Sequence, residues 1–526
     1  MRQVLQASQL RRLEFIEILY SRHGGWVSLP KVAEYLKTTP LNLKNDIFGL
    51  RKLGVTIITK RAKVRLDTTN SPTIETIYRD FNRHSPALNL VEEIFNTPDH
   101  TTESLSEALF ISPSTVYRHI NTLNKRTEEV FNVKVDKRPY RFGGDERDIR
   151  YFLAEYFAER YPLEEWPFKE VDERVLETFI QYFTRELNIG MNFSYYYFVK
   201  ILTAISLIRT IQGFFIETDN SHIEPVYNVI KDQHTFKEMK KYIREHYDRE
   251  LDIDFIGQMF ISFLSPNYFF TIDSFYLETR LNDQINSSIT YLDWMISRLM
   301  RDFDLELDNK QELIYELHNT NVLNKADLNV TPILYDQKGG FVREFSAKYP
   351  EFYEAAFKAM QGYRNHMLEK PDYYMERHLT YTLIVQWRYL ICQLANRAEK
   401  INVLILTKYD EGYSRLIKDM MEFRGTQQMN IDIYDEIHFD RDTIAQSNYD
   451  ILVSNFEIEP IEGKHISYNP SLFSVESLYE LYQIVIKIID ERKKNDYLSK
   501  LIPDKEDDEH CDESDDDELD EIFEEA

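Results

Sequence analysis

The chain of 526 residues has little cysteine and little glycine: two of the first, Cys392 and Cys511, and 15 of the second. Two cysteines exclude a disulfide framework and a cysteine-built zinc site. The few glycines form no phosphate-cradling loop, and no HExxH pair stands ready for a catalytic zinc. No apolar run reaches the roughly 18 residues a membrane span needs. The N-terminus carries Arg2, Arg11 and Arg12 but no apolar signal-peptide core. These absences lead us to expect a cytoplasmic protein that is not an enzyme, takes no metal or cofactor, and does not engage a membrane.

What is present is a globular composition with an uneven charge. Hydrophobic residues make up 43% of the chain and aromatics 14%, and the length is too great for one core. The formal charge of -26 divides sharply: residues 1–150 hold 24 Lys and Arg against 18 Asp and Glu, and the remainder 39 against 71. A positive end joined to a negative body confines any contact with nucleic acid to the N-terminal part.

That part contains a repeat at a spacing of 73 residues. Val32, Leu36, Thr39-Pro40, Leu43, Ile47 and Leu50 correspond in character to Leu105, Leu109, Ser112-Pro113, Val116, Ile120 and Leu123. Each copy reads as a short helix, a three-residue turn, and a second helix with a hydroxyl N-cap and proline at its first position. One face of the second helix is apolar. The other offers Asn42, Lys44, Asn45 and Arg51 in the first copy, and Ser114, Thr115, Tyr117, Arg118, Asn121 and Lys125 in the second. Such groups suit base edges and phosphates if the helix lies in a major groove. Ordinary helical hairpins would give the same pattern in a single copy.

The segment after each copy favours the DNA reading. Val55–Ile58, then Lys60, Arg61 and Lys63, then Val64–Leu66 read as strand, basic turn and strand; Asn132–Val135, then Lys137 and Arg138, then Tyr140–Phe142 repeat the pattern. A helix-turn-helix backed by a basic hairpin is a winged helix, whose wing supplies salt-sensitive phosphate contacts. The second reading helix continues into Lys125-Arg126 and is expected to be the main reader, with the first copy chiefly holding phosphates.

From Glu146 the pattern becomes long amphipathic helices, with two blocks of four or five meeting near Asn282 to Ser288. After Lys400 the period changes. Ile401–Leu406, Ile431–Tyr434 and Asp450–Ser454 read as strands, alternating with helices at Gly412–Arg424 and Ser474–Arg492, which indicates a small parallel α/β domain. Asp504–Ala526 is dominated by acid and cannot fold alone. It reads as a solvating tail, a partner-binding segment, or an intramolecular competitor for the basic winged helices.

This order resembles the Mga and AtxA family of Gram-positive virulence regulators, nearest the streptococcal branch in length and acidic tail. The most specific segment is Gly144-Asp145-Glu146-Arg147-Asp148-Ile149-Arg150, which is similar to the "G-x-E-x-x-I-R" link into the first PTS regulation domain. The resemblance implies a mainly α multidomain chain. Its expected parts are two winged helix-turn-helix modules at 1–70 and 71–150, PTS regulation domains at 151–285 and 286–397, a domain like the IIB phosphotransferase component at 398–498, and an acidic tail at 499–526. It also implies that phosphotransferase-system phosphocarriers act on histidines in the regulation domains, following a pattern of His with Arg seven residues on. His318 with Lys325 keeps that pattern in the second domain with a conservative change, and His378 is a further phosphorylation candidate. In the first domain Leu202 stands where the histidine belongs, seven before Arg209. Thr407 occupies the place of the IIB phosphocysteine and cannot serve as a thiolate, so this domain is expected to dimerise or dock.

Expected partners are thus double-stranded promoter DNA, the phosphocarriers, RNA polymerase, and a second copy in a homodimer or higher oligomer. The competing function is an RNA-binding transcription antiterminator, because PTS regulation domains occur there too; that class begins with a short β-stranded RNA-binding domain.

Overall fold

The structure is a computed structural model that describes residues 1–186, 193–217, 224–260, 267–269, 271–278, 282–323, 331–397, 400–424, 429–468 and 475–492. The acidic tail, Lys325 and Cys511 lie outside these residues. Two compact units emerge: 1–298 with 309–386, and 299–308 with 387–499.

The first winged module consists of α1 (Ala7–Ser21), β1 (Val27–Ser28), α2 (Leu29–Tyr35), α3 (Pro40–Arg51), β2 (Ile57–Lys60) and β3 (Lys63–Leu66). Its sheet runs β1-β3-β2, all antiparallel. Thr39 accepts a hydrogen bond from the Asn42 amide and starts α3, while Leu43, Ile47 and Leu50 are buried. The wing turn is tighter than the four residues expected. Lys60 pairs with Lys63, leaving only Arg61-Ala62 at the tip, with Arg61 at φ 52°.

The second module is built from α4 (Ile74–Arg83), α5 (Pro86–Asn96), α6 (Thr102–Ala108), α7 (Pro113–Phe131), β4 (Val133–Asp136) and β5 (Arg141–Gly144). The repeat extends to backbone conformation. Lys37 and Phe110, the equivalent first residues of the two turns, are both left-handed, at φ 51° and 54°. The modules diverge after the reading helix, because α7 has 19 residues where α3 has 12. A third wing strand is reduced to the single bridge His100–Tyr140.

α8 (Glu146–Arg160) leads into the helical body. There follow α9 (Glu173–Glu186), α10 (Phe193–Ile211), α11 (Glu224–Ile230), α12 (His234–Tyr247), α13 (Ile253–Met259) and α14 (Ile272–Glu278). Next come α15 (Asp283–Asp302), α16 (Lys310–Val322), α17 (Gln337–Lys348), α18 (Pro350–His366) and α19 (Tyr373–Gln386). α15 starts where the change of block was expected. The helices outnumber that expectation because α11, α13 and α14 have only seven residues each, about two turns, too short to show a clear apolar period. The compact units divide elsewhere, within α15 and after α19.

The second unit takes α20 (Leu390–Arg397), β6 (Ile401–Leu406), α21 (Glu411–Arg424), β7 (Met429–Ile433), α22 (Arg441–Gln446), β8 (Ile451–Ser454), β9 (His465–Tyr468) and α23 (Val475–Arg492). Its sheet is parallel throughout, in the order β7-β6-β8-β9. Ile401, Val403, Ile405, Ile451 and Val453 pack under α21 and α23, and Leu404, Leu406 and Leu452 face Ile444 of α22. Burial on both faces explains the apolar run Val403–Leu406 of β6. β9 was not legible in the sequence: His465-Ile466-Ser467-Tyr468 is an edge strand with one buried polar residue and no apolar run.

Candidate nucleic-acid interface

The two reading helices are held in different ways. In α3 the polar face is interrupted by Asp46, which is turned inward and fully buried. Arg11 donates to it from Nε at 2.6 Å and from a terminal nitrogen at 3.1 Å, and Arg12 donates from Nε at 3.0 Å. Gly49 makes room: a Cβ there would lie 2.7 Å from the Arg12 guanidinium carbon. Two cations from α1 thus fix the rotation of α3 through one carboxylate. The position equivalent to Asp46 in the second copy is His119, which burial, and then the neighbouring Arg118, push below the ordinary histidine range.

Lys44 and Asn45 are exposed on α3. Asn42 is half-buried and donates to the Thr38 hydroxyl at 3.1 Å. Arg51 donates to the Ile57 carbonyl at 3.0 Å, so it braces the wing. Lys60 and Lys63 sit opposite each other beside the exposed Arg61 at the wing tip.

In α7, Tyr117, Arg118, Asn121 and Lys125 are exposed. Ser114 and Thr115 belong to the cap, their hydroxyls 3.0 and 2.8 Å from that of Ser112. The wing joins this face. Lys137 donates to Asn121 at 2.5 Å and places its ammonium 4.2 Å from the centre of the Tyr117 ring. Asn124, equivalent to Arg51, exchanges two hydrogen bonds of 2.8 Å with the backbone of Val135. Arg138 is exposed in the turn. Reading helix and wing therefore present one continuous surface of aromatic, amide and cationic groups.

Behind this surface the link segment becomes a buried ion cluster. Glu146 receives Arg209 in a two-pronged pair at 2.9 and 2.6 Å, and Arg150 at 3.1 Å. Arg150, fully buried, also donates to the carbonyls of Gln258 and Phe214 at 2.7 and 2.9 Å. The arginine seven residues after Leu202 thus anchors the helical body to α8.

His318 is buried, with both ring nitrogens bonded. Nε2 meets the Asn267 carbonyl at 3.0 Å and therefore donates; Nδ1 accepts from Ser288 at 2.8 Å, and Ser288 accepts from Tyr363 at 2.6 Å. Burial pushes His318 down to about 4, which keeps the ring neutral. His378 is buried on α19 with its ring centroid 5.9 Å from that of Tyr381. Burial, then Lys338 and Arg377, hold it well below the ordinary range. In the second unit, the Thr407 hydroxyl lies 2.7 Å from that of Ser414.

Sequence reasoning passed over Asp46, although an acid amid the amide and basic residues of α3 signals a side chain turned inward. It also missed the wing lysine's return onto α7, for which a linear spacing carries no signal.

Residues 70–157 match the Mga helix-turn-helix domain, and residues 172–390 match the PRD domain of the M protein trans-acting positive regulator (MGA). A proposed trans-acting regulator of Streptococcus pneumoniae serotype 4 is 28% identical over 494 residues, covering 93% of this chain and 100% of that protein. The capsule synthesis positive regulator AcpA of Bacillus anthracis is 22% identical over 312 residues, 58% of this chain and 64% of AcpA. The anthrax toxin expression trans-acting positive regulator of that organism is 20% identical over 213 residues, 40% of this chain and 44% of its own length.

Proposed function

Because the chain belongs to the Mga/AtxA-like family of virulence regulators, we propose that it activates virulence genes by binding promoter DNA through both winged helices, under control of its helical body. The observation that carries this is the joined surface of α7 and its wing, where Tyr117, Arg118, Asn121, Lys125, Lys137 and Arg138 cluster on the positively charged third of the chain. Base-edge groups on the helix and cations on the wing divide the work into reading and holding. Lys44, Asn45, Lys60, Arg61 and Lys63 would hold phosphates in the first module.

The regulatory half of the proposal is phosphorylation on histidine by phosphotransferase-system carriers, which changes the oligomeric state of a homodimer or larger assembly that recruits RNA polymerase. Of the two histidines we favour His378, which is buried but less completely than His318. Lys338 and Arg377, which oppose a protonated ring, would favour a negatively charged one. At His318 a phosphate would have to break a hydrogen bond to Ser288 or Asn267. The α/β unit, with Thr407 in place of a thiolate, fits docking or dimerisation.

A gel shift with duplex DNA and with RNA hairpins tests the first half. Duplex binding that weakens steeply with salt is expected; preference for the hairpins would favour an antiterminator. Incubation with purified phosphocarriers and mapping of phosphohistidine tests the second, with label at His378 expected.

A further inference from the structure

We infer that the segment Thr331–Asp336 is a strap through which the second helical block sets the seam between the two winged modules. It is buried at Thr331, Ile333 and Leu334, yet it has no regular structure to satisfy its backbone. Three amides, the Leu334 carbonyl and the Asp336 carboxylate are met from three directions instead.

The first is α8. Glu159 accepts the amides of Ile333, Leu334 and Tyr335 at 2.6, 2.8 and 3.2 Å, so one carboxyl group caps three consecutive donors. The second is the modular seam. Arg2 donates to the Leu334 carbonyl at 3.0 Å, to Glu17 of α1 at 3.0 Å and to the Tyr78 hydroxyl of α4 at 2.7 Å, and the Tyr78 ring stacks on Tyr335 at 4.5 Å. Glu17 belongs to the first winged module and Tyr78 to the second, and Tyr78 also donates to Glu17. The strap therefore ends one side of a closed polar circuit that holds both modules.

The third direction is α19. Asp336 caps α17 through the Gly339 amide at 2.8 Å and receives Arg377 in a two-pronged pair at 2.7 and 3.1 Å. Gly339 is required by this approach, since a Cβ would lie 2.0 Å from an Asp336 oxygen and 2.5 Å from Arg377. Arg377 precedes His378, and the charge of Lys338, next but one to Asp336, is felt by both Glu155 of α8 and His378.

A change of charge on α19 thus has a short physical route to the DNA-binding end. An anion near Arg377 or Lys338 competes with Asp336 and Glu155 for the same cations. When Asp336 loses Arg377 the strap keeps only the Gly339 amide and the longer Arg343 pair at 3.5 Å at that end, and Leu334 and Tyr335 loosen against Arg2 and Tyr78. The route exists whatever ligand or modification supplies the charge. It rests on the proposed control by the helical body only for its biological use.

The test uses the full chain and two readouts. In hydrogen exchange, Arg377→Gln is expected to raise exchange in 331–336 and also in α1 and the N-terminal half of α4, which Arg377 does not touch. In binding to a long A/T-rich duplex, Arg377→Gln and Arg2→Ala are each expected to shift affinity about fivefold or more, with the double variant changed no further than the larger single. Tyr335→Ala, which leaves the ion pairs intact, is expected to move α4 exchange in the same direction and keeps the test alive if Arg377→Gln proves poorly folded. Faster exchange confined to α17 and α19 would overturn the strap, as would losses that multiply in the double variant. Absence of duplex binding with the exchange pattern intact would overturn the DNA reading alone.

Discussion

The two winged helices share a sequence pattern and differ in what holds their reading helices. In the first, α3 is locked from behind: Asp46 is buried against Arg11 and Arg12, and Arg51 is drawn to its own wing. In the second, α7 is braced from in front: Lys137 of the wing lies on Asn121 and Tyr117. The first arrangement uses cations for rigidity and leaves few groups for bases. The second organises the groups that would touch DNA and leaves Arg118 exposed beside them. Two copies of one motif can thus be held from opposite sides without any change of fold.

The comparison breaks most readily at Asp46. Asp46→Ala leaves two partly buried arginines without their shared carboxylate, and a loss of about 3–5 kcal/mol in urea unfolding is expected. His119→Ala at the equivalent position should cost about 1 kcal/mol. Similar losses at the two sites would remove the distinction between locked and braced modules.

A pH titration sharpens it at the seam beside the first module. Burial raises Glu159 from 4.5 to about 7, although three backbone amides and the Met1 amino group favour its ionised form. The folded chain keeps this proton where the unfolded chain has lost it. Its contribution to stability is therefore fully present below about pH 4.5 and lost as pH rises through about 7, a difference on the order of 3 kcal/mol. Glu159→Gln should flatten that part of the profile; an unchanged slope between pH 5 and 7 would exclude Glu159 as its source.

Binding separates the modules next. Arg118→Ala should lower duplex affinity about tenfold and relax base preference, whereas Lys44→Ala should weaken all sequences by a smaller and uniform factor. Equal losses would make the first module as much a reader as the second. The smallest expected effect is at Lys137, where Lys137→Met removes a hydrogen bond and a cation over an exposed ring. A change of about 0.5–1 kcal/mol in binding is expected, shared between weaker phosphate attraction and a freer Tyr117. An unchanged affinity would show that the wing does not brace α7.

Much of this was legible from local pattern. The caps Thr39 and Ser112, the prolines after them and the buried triads Leu43-Ile47-Leu50 and Val116-Ile120-Leu123 depend on neighbours three and four residues away, so spacing reveals them. The wings were found for the same reason, although their turns shifted by a residue or more because cross-strand register is not a local property. His318 was found as a residue but not as a site. Its surroundings, Asn267, Ser288 and Tyr363, come from three other parts of the chain.

By itself, the sequence determined the repeat, the positive end, the helical body and the alternating strands and helices at the close, since helical period, strand runs and net charge are properties of neighbouring residues and of sums. Tertiary structure alone decided which cations remain available to a phosphate. Arg11, Arg12, Arg51, Arg150, Arg209 and Arg377 look equivalent to Arg118 in a list of charges, yet each is directed at a particular carboxylate or carbonyl. A guanidinium is committed by the geometry of distant acceptors, and that geometry exists only once the chain has folded.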